Sequence, residues 1–150
     1  MMKLRPQKNG FTLVEVLIVI GILGVIVAFG IPFYQSFQVS SQLDNFTQEI
    51  LQNLRRAQVR AMASESFSEF GVHFESNRFV LFRGVSYSPS DPFNEEVVLP
   101  DVFSISVGAS SDVVFAPILG TTTVATITIS TDFGKSRVIT INELGVAHAQ

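Results

Sequence analysis

The sequence predicts an α+β fold, with one long amino-terminal helix whose outer half packs on an antiparallel β-sheet head. Three observations carry this. Residues 11–31 read FTLVEVLIVIGILGVIVAFGI, a 21-residue run in which only Thr12 and Glu15 are polar. Leu43, Phe46, Ile50, Leu54, Ala57 and Ala61 then step by 3, 4, 4, 3 and 4, which is one stripe of an amphipathic helix. From Phe70 onward the pattern breaks into short runs of β-branched and aromatic residues separated by turn residues.

The composition is consistent with a single domain of 150 residues, greasier than usual. Hydrophobic residues make up 47% and charged residues 15%, against about 25% charged in ordinary soluble domains. Global disorder, which needs low hydrophobicity and high charge, is excluded. A net charge of −3 argues against a polyphosphate-binding protein. The absence of cysteine excludes disulfides, thiolate metal sites and a cysteine nucleophile.

Taken as a helix, residues 11–31 would extend about 32 Å, enough to cross a hydrocarbon core of about 30 Å. Lys3, Arg5 and Lys8 precede the run with no acidic residue among them, and the next basic residue is Arg55. The positive-inside rule then puts the amino terminus in the cytoplasm and everything after Pro32 outside. A cleaved secretory signal fits less well. Its apolar region is shorter, and the end of this run, Ala28-Phe29-Gly30-Ile31-Pro32, makes a poor cleavage site. A plain signal anchor is the stronger alternative. What a plain anchor leaves unexplained is Glu15. A carboxylate costs about 2.5–3.5 kcal/mol at the centre of a membrane helix and less toward an interface. No Lys, Arg or His lies between Phe11 and Gln38 to pair with it. A cut before Phe11 would supply a cation, a new α-amino group four residues away on the same helix face.

Lys8-Asn9-Gly10 followed by Phe11-Thr12-Leu13-Val14-Glu15 resembles the class III leader of type IV prepilins and type II secretion pseudopilins. The resemblance implies a cut after Gly10 by prepilin peptidase, N-methylation of Phe11, and Glu15 as the assembly carboxylate. It also makes Pro32 the proline that loosens the helix during fibre assembly. In a fibre, the amine of an incoming subunit would meet the Glu15 of a neighbour, a pair made attractive by the low dielectric. Gly21, Gly24 and Gly30 would permit close helix packing, although glycine is also simply common in membrane helices.

Beyond Pro32 the helix is expected to continue to about Ser64, with a bend near Pro32. Arg55, Arg56 and Arg60 mostly lie off the apolar stripe and read better as a solvated helix face than as a phosphate or partner patch. In the head, 71–74 and 78–82 flank Ser76-Asn77 as a hairpin, and 86–94, with Pro89 and Pro92, reads as a loop. Further strands are expected at 96–99, 102–107, 113–115, 124–129 and 137–141, with Asp132-Phe133-Gly134-Lys135 turning between the last two. Several head segments resemble those of H-type minor pseudopilins and T-type minor pilins. They are Leu54-Arg55-Arg56-Ala57-Gln58-Val59-Arg60-Ala61, then Val114-Phe115-Ala116-Pro117, Gly120, and Ile139-Thr140-Ile141-Asn142-Glu143-Leu144-Gly145. One departure matters. DNA-capturing T-type pilins carry basic residues after the last glycine, where this chain has Val146-Ala147-His148-Ala149-Gln150.

No constellation for chemistry stands out. His73 and His148 are the two histidines, too few for a zinc cluster. Glu95-Glu96 reads as a solvated charge pair. Asp91, Glu95, Glu96 and Asp101 match no calcium-loop spacing. Asn45-Phe46-Thr47 is a sequon that composition alone would produce. The chain is therefore expected to be no enzyme, with no catalytic residues, metal or cofactor. The expected organisation is a cytoplasmic leader at 1–10, a membrane-spanning half-helix at 11–31, an amphipathic half-helix at 32–64 and a β-rich head at 65–150. By resemblance, it is a single-pass inner-membrane protein with an extracytoplasmic head. Its partners would be other pilin or pseudopilin subunits, prepilin peptidase, the inner-membrane assembly platform and membrane lipid. Losing the leader leaves seven basic against thirteen acidic residues, which argues against nucleic acid as a partner.

Overall fold

A computed structural model describes residues 10–108 and 110–150, apart from the side chains of 30–36 and 66. Lys3, Arg5 and Lys8 lie outside the described residues. The chain divides into two compact units, Met1–Val39 and Ser40–Gln150.

One helix, α1 (Leu13–Met62), starts two residues after Phe11 and ends two residues before Ser64. Its assignment is continuous through position 32. The Pro32 side chain lies outside the described residues, as does the loosening role expected of it. In the first unit, the apolar side chains from Leu13 to Phe29 are all at least half exposed or close to it, Val16 the least at 46%. Among the described residues, no helix is long and apolar enough to cross a membrane. The described side chains of the apolar run stop at Phe29, short of its end in the sequence at Ile31.

In the second unit the expected stripe is the buried one. Leu43, Ile50, Leu54, Ala57 and Ala61 are essentially inaccessible, and Phe46 sets its ring edge-on to Phe103 at 5.0 Å. Two polar residues turn inward with them. Thr47 donates its hydroxyl to the Leu43 carbonyl at 2.7 Å, and Asn53 donates to Glu49 O at 3.0 Å, so burial leaves neither unpaired. Thr47 belongs to the sequon, and its hydroxyl is spent inside the core.

A single 3₁₀ turn (Glu65–Phe67) leads into eight strands: β1 (Phe70–Phe74), β2 (Arg78–Arg83), β3 (Glu95–Val98), β4 (Phe103–Val107), β5 (Asp112–Phe115), β6 (Ala125–Thr131), β7 (Ser136–Ile141) and β8 (Ala147–Ala149). Every pairing among the described residues is antiparallel. The head holds two four-stranded sheets, ordered β3-β2-β1-β5 and β4-β6-β7-β8, where the strand periods alone suggest one. The chain changes sheets after β3, β4 and β5. At the first change, the tip of the β1–β2 hairpin receives it: Leu99 N–H donates to Asn77 O at 2.7 Å and Ile105 N–H to Ser76 O at 2.8 Å. β8 was not expected. Gly145, at φ +76°, turns the chain back so that Ala147, His148 and Ala149 pair with Ile141, Thr140 and Ile139. Three small or polar residues carry too little periodicity to announce a strand.

Phe79, Phe82, Phe115, Leu81, Ile127, Ile129, Ile139 and Ile141 are nearly inaccessible and close the core against the helix stripe. Residues 36–150, which include the whole second unit, are expected to fold as a soluble monomer. About 115 residues can bury close to two-thirds of their surface. Circular dichroism and gel filtration would check this, and reductant should have no effect because cysteine is absent. Aggregation of every chain begun near this point would count against a self-sufficient head.

Candidate assembly site

The helix begins where its own sequence caps it. Thr12 precedes Leu13, and its Oγ1 accepts the Glu15 backbone N–H at 3.3 Å, while its carbonyl accepts the Val16 N–H at 3.2 Å. Thr-x-x-Glu is capping-box spacing, and it places Glu15 in the first turn, where the helix dipole favours a carboxylate. Thr12 was missed from sequence, although that spacing was the available signal. Gly10 and Phe11 are left outside the helix in exposed, irregular backbone, with Phe11 80% exposed. Helical hydrogen bonding begins with the Thr12 carbonyl, so the Gly10–Phe11 bond precedes it. Thr12→Ala should loosen this first turn by about 1 kcal/mol. Faster amide hydrogen exchange at Glu15 and Val16 would show it, and unchanged exchange would contradict the cap. A Cβ added at Gly21 or Gly24 would meet nothing within 4 Å, so this face of the helix is open to a neighbour.

A second convergence lies at the carboxy-terminal end of α1. Gln58 Nε2 donates to Gly120 O at 3.1 Å and to Leu144 O at 2.9 Å. The Ala61 carbonyl accepts both the Ser64 N–H at 2.9 Å and the Ile118 N–H at 3.2 Å, which ties the segment after β5 to the helix end. Gly120 and Gly145, at φ +64° and +76°, sit against Met62 and Gln58. The helix segment, Gly120 and the closing Gly145, three separate stretches in sequence, thus meet at one point.

The charged residues are more engaged than their sequence suggests. Glu95 accepts from Arg56 at 2.8 Å and pairs with Arg60 at 2.9 Å, while Glu96 pairs with Arg78 at 2.9 Å. Alternation along β3 sends the two neighbours to different partners, so they are not a solvated charge pair. Burial pushes the Glu95 carboxyl up, but Arg56 and Arg60 together hold it below the ordinary range. Arg78 does the same to Glu75, with His73 adding to it. A carboxylate with a lowered pKa contributes stability above its unfolded value and loses it as pH falls through the folded one. Mild acid should therefore loosen β3 from α1, by less than about 1 kcal/mol because the pair is exposed.

The candidate calcium ligands do not converge. Asp91 accepts the Phe93 N–H at 2.9 Å, and among the described residues no three His, Asp or Glu groups are placed to hold a metal. His73 stacks on Tyr87 at 4.2 Å with Nδ1 against Asp112, which also accepts the Tyr87 N–H at 3.3 Å. This contact ties the loop after β2 to the sheet.

Residues 5–31 match the family described as the prokaryotic N-terminal methylation motif. Two fimbrial proteins of Eikenella corrodens are similar. EcpC is 38% identical over 46% of this chain and 41% of its own length, and EcpB 28% identical over 71% and 64%. The chain thus spans less than two-thirds of either relative. Its fold is similar to that of the minor pseudopilin EpsH from the type 2 secretion system of Vibrio cholerae, with a TM-score of 0.55 at 16% identity, covering 72% of this chain and 95% of that one. With the methylation motif ahead of one long helix and that helix on an antiparallel head, this chain carries the prokaryotic N-terminal methylation motif and has a pilin-like fold similar to that of a minor pseudopilin.

Proposed function

We propose that this pilin-like structural subunit is a minor pseudopilin of a type II secretion pseudopilus, cut between Gly10 and Phe11, N-methylated at Phe11 and assembled through Glu15. The observation that carries the reading is the exposed Gly10–Phe11 junction immediately ahead of a Thr12-capped helix bearing Glu15 in its first turn. The likeness of the fold to that of EpsH favours the secretion assignment. Residues 1–10 are the leader, 11–31 the membrane-spanning part, 32–64 the amphipathic half-helix and 65–150 the head. The head lies on the extracytoplasmic side of the inner membrane. Pro32 loosens the helix when the subunit leaves the bilayer. Partners are prepilin peptidase, the assembly platform, membrane lipid and other pseudopilin subunits. A second reading, a minor pilin of a type IV pilus, is favoured by the fimbrial relatives.

Mass spectrometry of the protein from a host with its peptidase should find a methylated Phe11 terminus. An intact Met1, or a cut beyond Ala28, would sink the proposal. Deleting the gene in its own host separates the two readings: lost secretion with normal piliation supports the pseudopilus, and the reverse supports the pilus.

A further inference from the structure

The solvent face of α1 in the second unit carries a groove of about 340 Å³ lined by Arg55, Arg56, Val59 and Arg60. Here Arg56 and Arg60 are held by Glu95, and Arg60 also faces Glu65 at 3.7 Å and lies over the Phe70 ring. Arg55 has no ion pair or hydrogen bond among the described residues. Between them, Val59 is 64% exposed, although Ala57 and Ala61 beside it are fully buried. The result is an apolar floor with a cationic rim that is held at Arg56 and Arg60 and open at Arg55.

We infer that this groove docks an acidic segment of a partner protein, with a carboxylate on Arg55 and an adjacent apolar side chain over Val59. The argument is charge complementarity. Three of the seven basic residues left after leader removal sit in this one stretch, against thirteen acidic residues. Of the other four, Arg78 and Arg137 are paired with carboxylates, Arg83 lies on the Phe93 ring, and Lys135 contacts Ser40. An acid-rich partner would be repelled by most of this surface and attracted here, so the groove sets orientation as well as contact. A polyanion fits poorly. Glu95 and Glu65 offset much of the arginine charge, leaving a seat for one or two carboxylates and no basic track for a phosphate backbone. Arg55 keeps its donors for a two-point contact with one carboxylate. The inference takes from the proposed function only that the head meets other proteins of one assembly.

The test places a photo-crosslinking amino acid at Val59 of the full-length chain in its own host, and the crosslinked peptide is identified by mass spectrometry. The expected adduct is a protein segment with Asp or Glu within a few residues of the crosslink. Its yield should fall more than tenfold with Arg55→Glu and be largely kept with Arg55→Lys. An adduct on a neutral or basic segment, on nucleic acid or on lipid would overturn the inference. So would the absence of any adduct, or a yield indifferent to Arg55→Glu. The amino terminus is read in the same sample, so an uncut leader counts against the proposed function and adduct chemistry alone decides the groove. Both positions are exposed and bear no core contact, so the variants test binding and not folding.

Discussion

A Glu15→Gln subunit is expected to insert in the membrane, to lose its leader and then to fail at assembly. Glutamine keeps the shape of glutamate and is no harder to place in lipid, so insertion should be normal. The Gly10–Phe11 junction lies outside the helix, and Thr12 Oγ1 binds the backbone N–H of residue 15, not its carboxylate. Cleavage and the first helical turn should therefore persist. The proposed pair between Glu15 and the Phe11 amine of a neighbour would disappear. Removing one partner of a buried ion pair costs about 3–5 kcal/mol, because the remaining charge is left without compensation. That is over a hundredfold in an association constant, at about 1.4 kcal/mol per factor of ten. Crosslinking to other pilin-like subunits, and the secretion or piliation that depends on it, should be lost. A plain membrane anchor would behave oppositely, and wild-type crosslinking in this variant would remove Glu15 from the assembly site.

The second large effect is expected at Gly145. Its φ of +76° disfavours any side chain, and a Cβ there would lie 2.4 Å from Gln58 Nε2 and 2.4 Å from the Gly120 carbonyl oxygen. The carbonyl is backbone and cannot step aside cheaply. Gln58 can move only by giving up its bonds to Gly120 O and Leu144 O. Backbone strain of about 1–2 kcal/mol, together with a lost buried-edge hydrogen bond, puts Gly145→Ala at roughly 2–4 kcal/mol. Gly134 is the control. It has nearly the same backbone, φ +74°, but nothing within 4 Å, so Gly134→Ala should cost only the strain. Urea unfolding of the detergent-solubilised full chain would measure both. Equal losses at the two glycines would show that the Gln58 junction contributes nothing beyond backbone conformation.

The contrast between those two glycines marks the boundary between what could be read and what could not. Gly134 sits in a turn between two alternating strands, and the turn, the strands and their pairing were legible because all of that is local. So were the apolar run, the Glu15 anomaly, the junction after Gly10 and the stripe from Leu43 to Ala61, since each is a spacing along one element. Thr12 was legible in the same way, in its distance from Glu15, although it was not read as a cap. Gly145 gives no such signal, since its neighbour Gln58 reaches across 86 residues to Leu144 and across 62 to Gly120. The same holds for Glu95, which looks solvated beside Glu96 until β3 is laid against α1 and two arginines close on it. The division into two sheets belongs here as well: hydrophobic period says that a strand has a buried face, but not which strand it will pair with or on which side of the helix. By itself, the sequence determined the long helix, most of the strands and the odd carboxylate, because those are written in short-range chemistry. The tertiary structure alone decided the two sheets, the Gln58 junction and the hold of Glu95 on Arg56 and Arg60, because each depends on residues brought together only when distant strands and the helix close on one core.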